Sequence, residues 1–280
     1  MRYVIYNPLS IHALSIPELA KTLRDVNAEE DMRFIRVDEI DDGFEFMKLL
    51  SKGDDIVVSG GDGTFNRLVN KCHFETYNFP IYFHKAGNSN DFMRDIGDNG
   101  SDFAEVSPYL KKLPTVTFGD EELKFLNNVG FGIDGMVSLI ASHEKMAGKL
   151  KINYKSILIK CLLFKYKPVS AVIEVDGEKH LYKKVYVAST MNGRYYGGGI
   201  KQTPDQDRSS DEVSLIVWHS INRLSGFFFF HKLLKAKHIP FSKHASIIKG
   251  KNISVRFDKP TDIQIDGECI HGIYSYKVKK

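Results

Sequence analysis

The sequence predicts an α/β domain with a parallel sheet, followed by a second half that is rich in β-strands. In the first hundred residues, short β-type runs alternate with helical patterns, and this alternation is typical of a parallel sheet wrapped by helices. In the second half, the strand-like runs are short, rich in β-branched residues and bounded by Gly, Asp or Pro. With 280 residues, 42% hydrophobic and 26% charged, the chain has the composition of a soluble globular protein with one large or two medium domains.

The first half contains four strand-like runs and four helical patterns in alternation. The strand-like runs are RYVIY, MRFIRV, DIVVS and PIYFH, and the helical patterns are PELAKTLRDVNAEE, DGFEFMKLL, TFNRLVNKC and NDFMRDIG. Ligands of such sheets bind at the carboxyl ends of the strands, in the loops that follow. We therefore expect the functional residues of this half in the loops after its strands.

The second half reads as short strands interrupted by two helical stretches. The strand-like segments are SAVIEVDG, KVYVAST, SLIVWHS, KNISVRF and TDIQIDG, and the helical stretches are KLKINYKSILIKCLLFKYKP and LSGFFFFHKLLKAKHI. Both helical stretches combine apolar residues with lysines on one side. They fit core-packing helices with a solvated basic face, or a membrane-facing surface that admits a lipid.

Charge is divided unequally along the chain. Residues 1–139 contain 14 basic and 23 acidic residues, a net charge of −9, and residues 140–280 contain 25 and 12, a net charge of +13. This indicates either a second half that faces an anionic surface, such as a phospholipid membrane or nucleic acid, or a lysine-rich solvated face. No apolar run reaches the ~18 residues of a membrane span, and the N-terminus lacks a signal-peptide pattern. The three cysteines follow no metal-ligand spacing, so we expect a reduced, cytoplasmic protein whose cysteines pack as small hydrophobes.

The stretch VVSGGDGTFN, residues 57–66, surrounds one aspartate with three glycines where a strand gives way to a helix. Glycines permit a tight turn and let backbone N–H groups approach a phosphate closely. Asp62 would repel that phosphate unless a cation lay between them, which indicates a nucleoside triphosphate with Mg²⁺. The alternative is a plain glycine-rich turn. No Gly-Lys-Ser/Thr follows, so the loop is not a Walker A motif.

Several segments together resemble one family. In chain order they are Asn7-Pro8, GGDGT followed by Asn66, AGNSNDFMRDIG at 86–97, FLNNVGFGIDGMV at 125–137, NGRYYGGGIKQTPD at 192–205 and IDGE at 265–268. They resemble the bacterial diacylglycerol kinase-like lipid kinases over nearly the whole chain. GGDGT alone is shared with NAD kinases, whereas the NDF, YYGGG and DGE segments are more specific.

The resemblance implies a domain organisation. Residues 1–115 would form an α/β nucleotide-binding domain with a parallel sheet, of the kind found in NAD kinases and diacylglycerol kinases. Residues 116–280 would form a β-rich, sandwich-like domain for the lipid substrate, with the extreme C-terminus free to return to the first domain.

The resemblance also implies roles for particular residues. Glu268 matches the catalytic base that takes the proton from the lipid hydroxyl, and Asp62 matches the Mg²⁺ and phosphate centre. Asp91 and Asp134 match carboxylates that position metal-bound water or the phosphoryl group, although Asp91 could instead cap its helix. Asp211 matches the ligand of a structural Mg²⁺ site. The nucleotide-binding residues would be Asn7, Pro8, Gly60, Gly61, Asp62, Gly63, Thr64, Asn66 and Asn88.

Each of two segments has a simpler reading besides the one that the resemblance implies. IDGE also fits a tight turn at a hairpin tip, and NGRYYGGGI at 192–200 also fits an ordinary hairpin connection.

Three positions depart from the family pattern. Asn88 stands where a threonine hydroxyl is usual, Arg67 replaces a glutamate near the start of the helix, and Glu212 replaces a glycine after Asp211. The change at Asn88 would alter nucleotide affinity or preference. Arg67 removes a negative charge near the helix start, and Glu212 puts the structural Mg²⁺ site in doubt.

We therefore expect an ATP-dependent lipid kinase that uses Mg²⁺ and transfers the γ-phosphate to a hydroxyl of diacylglycerol or a related membrane lipid. The alternatives are a NAD kinase and a catalytically silent lipid- or nucleotide-binding relative. The expected partners are ATP, the lipid and an anionic membrane surface bound peripherally, with no nucleic acid and with a homodimer left open.

Overall fold

The computed structural model describes residues 1–24, 31–97, 101–149, 152–222 and 243–280. These residues form two compact units, Met1–Lys112 and Leu113–Lys280. We describe each unit by itself.

Unit 1 contains a five-stranded sheet in the order β2-β1-β3-β4-β5. Strands β1 to β4 are parallel, and β5 runs antiparallel to β4. All six residues of the central strand β3 are buried, as expected for a strand covered on both faces. The four strands expected in this half are confirmed. The strands are β1 (Arg2–Tyr6), β2 (Met32–Arg36), β3 (Asp55–Gly60), β4 (Ile81–Lys85) and β5 (Phe103–Glu105).

The helices of unit 1 follow the apolar periodicity of the sequence. The buried residues of α1 are Leu19, Ala20 and Leu23, which share one face at helical spacing. The pattern expected to continue to residue 30 is confirmed as far as Arg24, and residues 25–30 lie outside the described part of the chain. The helices are α1 (Ile16–Arg24), α2 (Gly43–Met47), α3 (Asp62–Cys72), α4 (Asp91–Ile96) and α5 (Ser107–Leu110), with 3₁₀ turns at Val37–Glu39 and Phe74–Thr76.

Aromatic packing fixes α3 and α4 on the sheet. The ring of Phe65 in α3 stacks on that of Phe83 in β4, with centroids 4.6 Å apart, and meets Phe92 of α4 edge-on at 5.6 Å. All three side chains are fully buried. Because these rings hold the first turns of both helices, the loops before them have defined positions.

Unit 2 contains a nine-stranded antiparallel sheet. Its order is β14-β13-β10-β8-β15-β16-β6-β7, and β9 pairs with β10 and β15. A separate two-stranded ribbon is formed by β11 and β12. The strands are β6 (Thr115–Phe118), β7 (Glu121–Lys124), β8 (Asn128–Gly132), β9 (Val169–Val175), β10 (Glu178–Met191), β11 (Tyr195–Tyr196), β12 (Ile200–Lys201), β13 (Val213–His219), β14 (Ala245–Gly250), β15 (Asn252–Ile265) and β16 (Glu268–Lys279).

Strands β8 and β9 lie end to end between β10 and β15. On β10, Val187 pairs with Gly132 at the end of β8, and Val185 pairs with Val169 at the start of β9. The chain leaves the sheet between these two points to form α6 (Ile133–Met146), α7 (Tyr154–Lys160) and a π-helical turn (Cys161–Lys165). These helices therefore form an excursion from the middle of the sheet.

The expected β-rich second half is confirmed, with one difference in its strands. KNISVRF and TDIQIDG, expected as two strands, form the single long strand β15. Its pairing with β16 shifts register between Arg256 and Ile263, so a local irregularity rather than a turn separates the two apolar runs.

A hydrophobic core lies on each side of this sheet. One contains the stacked rings of Phe131 and Phe257, whose centroids are 4.0 Å apart. The other contains Trp218 together with buried residues of α6 and α7, such as Leu158. The first expected helical stretch therefore packs on the sheet, whereas the second, LSGFFFFHKLLKAKHI, lies outside the described residues.

Two further features bear on the expectations. Among the described residues, no helix is both long and apolar enough to cross a membrane. Cys72 and Cys161 are buried in the cores, as expected, but Cys269 is only half-buried and lies among other polar side chains.

Candidate active site

The loops after β1 and β3 are tied together in unit 1. The backbone N–H of Asn7 donates to the carbonyl of Ser59 (3.0 Å), and its Nδ2 donates to Oγ1 of Thr64 (2.9 Å). Gly61, in extended conformation, leads from β3 into α3, which begins at Asp62. The predicted nucleotide-binding loop thus lies at the carboxyl end of the central strand, where ligands of parallel sheets bind.

The loops after β3 and β4 touch backbone to backbone. A Cβ added to Gly87 would lie 2.4 Å from the Cα of Gly61, so no other residue fits there without a backbone shift. The N–H of Ala86 donates to the carbonyl of Gly60 (2.8 Å). By contrast, a Cβ added to Gly63 would meet nothing within 4 Å. The chain around Gly63 therefore remains open to an approaching group.

The carboxylate of Asp62 caps α4. Its Oδ2 accepts the N–H of Asp91 (2.7 Å) and its Oδ1 accepts the N–H of Phe92 (3.4 Å). Asn90 is the residue before the helix and has a φ of 49°, and its side chain hydrogen-bonds to the backbone of Gly87. The carboxylate of Asp91 pairs with Arg94 of the same helix (2.6 Å), and the alternative that Asp91 caps its own helix stays a prediction. Asp91 is 3% exposed.

The remaining predicted nucleotide-binding residues differ in exposure. Thr64 and Asn66 are buried, and Oδ1 of Asn66 accepts a bond from Asn70 within the same helix. Pro8 and Asn88 are exposed. The structure thus brings the backbone of GGDGT, Asn7 and Thr64 together, while Asn66 binds within its own helix.

In unit 2, Asp134 lies in the first turn of α6 and is buried. Its Oδ1 accepts a hydrogen bond from the hydroxyl of Tyr196 (2.6 Å). A Cβ added to Gly130 would lie 2.3 Å from its Oδ2, so the glycine of β8 makes room for the carboxylate. Burial raises the pKa of Asp134 to about 7, and the hydroxyls of Tyr196 and Ser189 act in the opposite direction.

Several buried polar atoms of unit 2 have no hydrogen-bond partner among the described residues. They include Oδ2 of Asp134, the hydroxyl of Tyr166 and Nε2 of Gln264. Gln264 pairs across the sheet with Gly130, the glycine beneath Asp134. Buried polar groups of this kind are usually satisfied by ordered water or by a ligand.

Glu268 follows a two-residue hairpin turn. Asp266 and Gly267 have φ values of 46° and 92°, as a type I′ turn requires, and Glu268 pairs with Ile265 as the exposed first residue of β16. The alternative reading of IDGE as a hairpin tip is therefore confirmed, and this geometry also presents the glutamate to solvent.

Asp266 anchors this hairpin to a distant segment. Its carboxylate accepts the N–H groups of Leu126 (2.5 Å), Asn127 (2.7 Å) and Asn128 (3.0 Å). Burial raises the pKa of Asp266 to about 6, while the three N–H groups and Arg208 lower it. The bound segment leads into β8, whose end begins the helix of Asp134.

The same motif occurs a second time, at the β9–β10 hairpin. Asp176 and Gly177 have φ values of 47° and 91°, and Glu178 pairs with Val175. Asp176 also accepts N–H groups from a distant segment, those of Lys251 and Asn252. Local geometry therefore does not distinguish Glu268 from Glu178.

Asp211 is exposed before β13, and the neighbouring carbonyl of Glu212 accepts bonds from Nε2 of Gln206 (2.9 Å) and Oγ of Ser210 (2.9 Å). Because this carbonyl oxygen already accepts two hydrogen bonds, it is poorly suited to join Asp211 as a second Mg²⁺ ligand.

The NGRYYGGGI segment forms a hairpin connection, which is the simpler of its two readings. Gly197, Gly198 and Gly199 all have positive φ and join β11 to β12. This turn holds Tyr196, whose contact with Asp134 the sequence reasoning missed. The only signal in the sequence was the tyrosine pair before the glycines.

Comparisons with known proteins point to one family. The family model described as diacylglycerol kinase catalytic domain matches residues 2–115, and that described as YegS C-terminal NAD kinase beta sandwich-like domain matches residues 127–275. The chain is 22% identical over 234 residues to "Putative lipid kinase YtlR" of Bacillus subtilis, covering 77% of this chain and 74% of that protein. It is 26% identical over 231 residues to "Putative lipid kinase SH2167" of Staphylococcus haemolyticus, covering 77% and 70%.

The fold also matches that of solved structures. The "Crystal structure of a putative diacylglycerol kinase from Bacillus anthracis str. Sterne" superposes with a TM-score of 0.72 at 19% identity, covering 99% of this chain and 93% of that chain.

The glycine contact between the two loops makes a first prediction. Gly87→Ala should lower the free energy of unfolding by about 1–3 kcal/mol, because the new methyl group meets the backbone of Gly61. Gly63→Ala is the matched control and should change stability by less than about 1 kcal/mol, in the stabilising direction, because its site is open and helical. Chemical denaturation measures both, and equal midpoints for the two variants would contradict the contact.

The buried carboxylate makes a second prediction. Because the folded-state pKa of Asp134 is raised from 3.8 to about 7, its contribution favours the folded state at low pH and is lost as pH rises through this interval. Asp134→Asn cannot ionise, so its stability relative to the unchanged protein should increase over that interval, by up to about 4 kcal/mol. Urea denaturation at a series of pH values measures the difference in stability between the two proteins. Asp266 is present in both, so its contribution cancels from that difference. A difference that is constant with pH would mean that the pKa of Asp134 is the same in the folded and unfolded states.

Proposed function

The chain belongs to the diacylglycerol kinase-like lipid kinase family, and from that premise we propose that it transfers the γ-phosphate of ATP to a hydroxyl of diacylglycerol or a related membrane lipid. The observation that carries the proposal is the meeting of three loops at the carboxyl ends of β1, β3 and β4. There Asn7 binds Thr64, and Gly61 packs against Gly87. This gives a rigid backbone with few side chains, which suits the binding of phosphates.

The nucleotide is proposed to bind at the start of α3. The N-terminus of this helix of 11 residues presents backbone N–H groups and a partial positive charge. The open space at Gly63 lets a phosphate approach the backbone. Asn7 and Thr64 then supply amide and hydroxyl contacts, in place of the lysine of a Walker A loop.

The residues of this loop fit Mg²⁺, which family membership implies. Asp62 accepts backbone N–H groups through both carboxylate oxygens, and a carboxylate oxygen has lone pairs for more than one contact. Its hard oxygen donors are those that Mg²⁺ prefers, and Mg²⁺ bound there would neutralise phosphate charge. Asp62 is therefore the proposed metal ligand, and Asp91 is proposed to position the phosphoryl group. Asp211 is proposed as the ligand of a structural Mg²⁺ on resemblance alone.

Unit 2 is proposed to supply the base. Glu268 is exposed on a hairpin that Asp266 holds with three hydrogen bonds, so its carboxylate can accept the proton of a lipid hydroxyl without a backbone rearrangement. Asp134 carries an acceptor oxygen without a partner, which suits a bound water as donor. Its proposed role is to position such a water.

A third prediction tests the base and the substrate together. Glu268→Gln should lower the rate of phosphate transfer from radiolabelled ATP to diacylglycerol by a factor on the order of 10²–10⁴, because the amide cannot accept a proton. Glu178→Gln is the matched control, since it follows an identical Asp-Gly turn, and it should retain the full rate. Both variants should fold normally and bind ATP.

Other acceptors in the same assay separate the alternatives. A panel of lipid alcohols and NAD is offered with ATP, and transfer to NAD alone would contradict the lipid kinase. Transfer to no acceptor would favour the silent relative, for which the departures at Asn88 and Glu212 argue. Near-normal lipid phosphorylation by Glu268→Gln would remove Glu268 from the mechanism.

Peripheral membrane contact is proposed for the helical excursion of unit 2. Phe164 in the π-helical turn is 76% exposed, and Lys160, Lys165 and Lys167 around it in sequence are exposed as well. An exposed aromatic among lysines suits an anionic bilayer, which adds about 1 kcal/mol per lysine near the surface. The second helical stretch contains Lys232, Lys235 and Lys237, which lie outside the described residues.

A fourth prediction follows for this surface. The double variant Lys160→Glu/Lys165→Glu should weaken binding to vesicles that contain anionic lipid and should reduce its salt dependence. The double variant Lys277→Glu/Lys279→Glu makes the same change in net charge at exposed positions of β16. Its binding to the same vesicles should stay close to that of the unchanged protein. Co-sedimentation at several salt concentrations measures both. Equal weakening by the two variants would mean that only net charge matters and would contradict this surface.

A further inference from the structure

Three metal-ligating side chains lie on one face of the β15–β16 hairpin. Cys269 and His271 share a face because alternate residues of a strand point the same way. Gln264 pairs with Cys269, and Asp262 precedes Gln264 by two residues, so Asp262 lies on that face too. Ile263 and Ile270 pair on the opposite face and pack in the core.

A bulge in β16 brings His271 beside Asp262. Thr261 pairs with Ile273 and Ile263 pairs with Ile270, so β16 contains one residue more than β15 in this interval. Gly272 lies within this bulge and has a φ of 72°, the left-handed conformation that a glycine bulge uses. Nδ1 of His271 consequently lies 3.0 Å from Oδ1 of Asp262.

The three side chains offer one oxygen, one sulfur and one nitrogen at ligand distances. One donor atom of each lies within 4.8 Å of the other two, the only such group of three or more in the described part of the chain. Cys269 is half-buried, its Sγ 3.5 Å from the carbonyl of Gly135, while His271 is 61% exposed at its side chain. The group is therefore partly shielded by α6 and still reachable from solvent.

We propose that Asp262, Cys269 and His271 form a Zn²⁺ site, with water as the fourth ligand. A set of thiolate, imidazole and carboxylate suits Zn²⁺, whereas Mg²⁺ prefers oxygen ligands alone. Binding converts the Cys269 thiol to a thiolate and releases its proton to solvent. It also replaces the hydrogen bond between His271 and Asp262 with two bonds to the metal.

The position of the site suggests what occupancy does. Cys269 directly follows Glu268, and a Cβ added to Gly135 would lie 2.1 Å from the carbonyl oxygen of Asp262. A Zn²⁺ ion would thus join β15 to β16 beside the first turn of α6, which carries Asp134. We expect Zn²⁺ to change the turnover of the enzyme by restraining the Glu268 hairpin, a consequence that rests on the proposed function.

The binding test uses the full chain without a histidine tag. Zn²⁺ is titrated against a chromophoric chelator, and Co²⁺ serves as a spectroscopic probe of thiolate coordination. We expect one Zn²⁺ per chain and a sulfur-to-cobalt charge-transfer band. Cys269→Ser should abolish that band. Zn²⁺ affinity should fall in each of the variants Cys269→Ser, His271→Ala and Asp262→Asn. Loss of a residue that only hydrogen-bonds to a metal ligand lowers affinity by roughly 10–100-fold, and loss of a ligand itself should cost at least as much.

Two control variants separate this site from other thiols and imidazoles. Cys161→Ala removes a buried cysteine, and His180→Ala removes a histidine from β10. Both should bind Zn²⁺ as the unchanged protein does. Thermal unfolding checks that every variant is folded. If Cys269→Ser does not fold, the variants of Asp262, which is half-exposed, and of His271, which is exposed, still test the site.

The site would be overturned by a folded protein that takes up no Zn²⁺, by binding that survives loss of the ligands, or by an equal loss in the controls. Lipid phosphorylation measured with Mg²⁺ and a Zn²⁺ chelator is scored separately. Phosphorylation without Zn²⁺ binding overturns the metal site alone, and Zn²⁺ binding without phosphorylation of any lipid overturns the proposed function alone.

Discussion

Backbone N–H groups that leave regular pairing need acceptors, and in this protein aspartate carboxylates from distant sequence supply them. Asp62 accepts the first N–H groups of α4, 29 and 30 residues further along the chain. Asp266 accepts three N–H groups that precede it by 138–140 residues. Each of these bonds fixes a loop that carries a proposed functional residue. In each unit, the positions of the proposed functional residues therefore depend on carboxylates that also hold the fold.

This double use affects how any substitution is interpreted. Removing the carboxylate of Asp62 would release the start of α4 and would also remove the proposed metal ligand, so a loss of activity would not show which of the two roles matters. Asparagine keeps one acceptor oxygen for the helix and loses the charge, so it separates the two effects. In unit 2, burial raises the pKa of both Asp134 and Asp266 towards neutrality, so the same carboxylates also make stability depend on pH.

Much of unit 1 follows from local sequence, because the strands of a parallel sheet are continuous apolar runs and the helices show clear periodicity. The place of GGDGT at the end of β3 was predictable for the same reason. Long-range contacts were not. Nothing in the sequence shows that Gly87 meets Gly61, or that Asp134 meets Tyr196. The Asp-Gly-Glu motif is the clearest example, since it forms the same turn at Glu178 and Glu268, and only the distant partners differ.

The glycines of VGFGIDG become intelligible only when β8 and β9 are treated as one interrupted strand. The chain must leave the sheet at Gly132, where φ is 96° and a Cβ would lie 2.4 Å from the carbonyl of Tyr186. It then forms a helix at once, directly over the sheet. Gly135 brings that helix against the backbone of Asp262, and Gly130 leaves room beneath it for the carboxylate of Asp134. Three glycines in six residues thus place an ionisable carboxyl group inside a sheet core, a costly arrangement that a purely structural helix would not need.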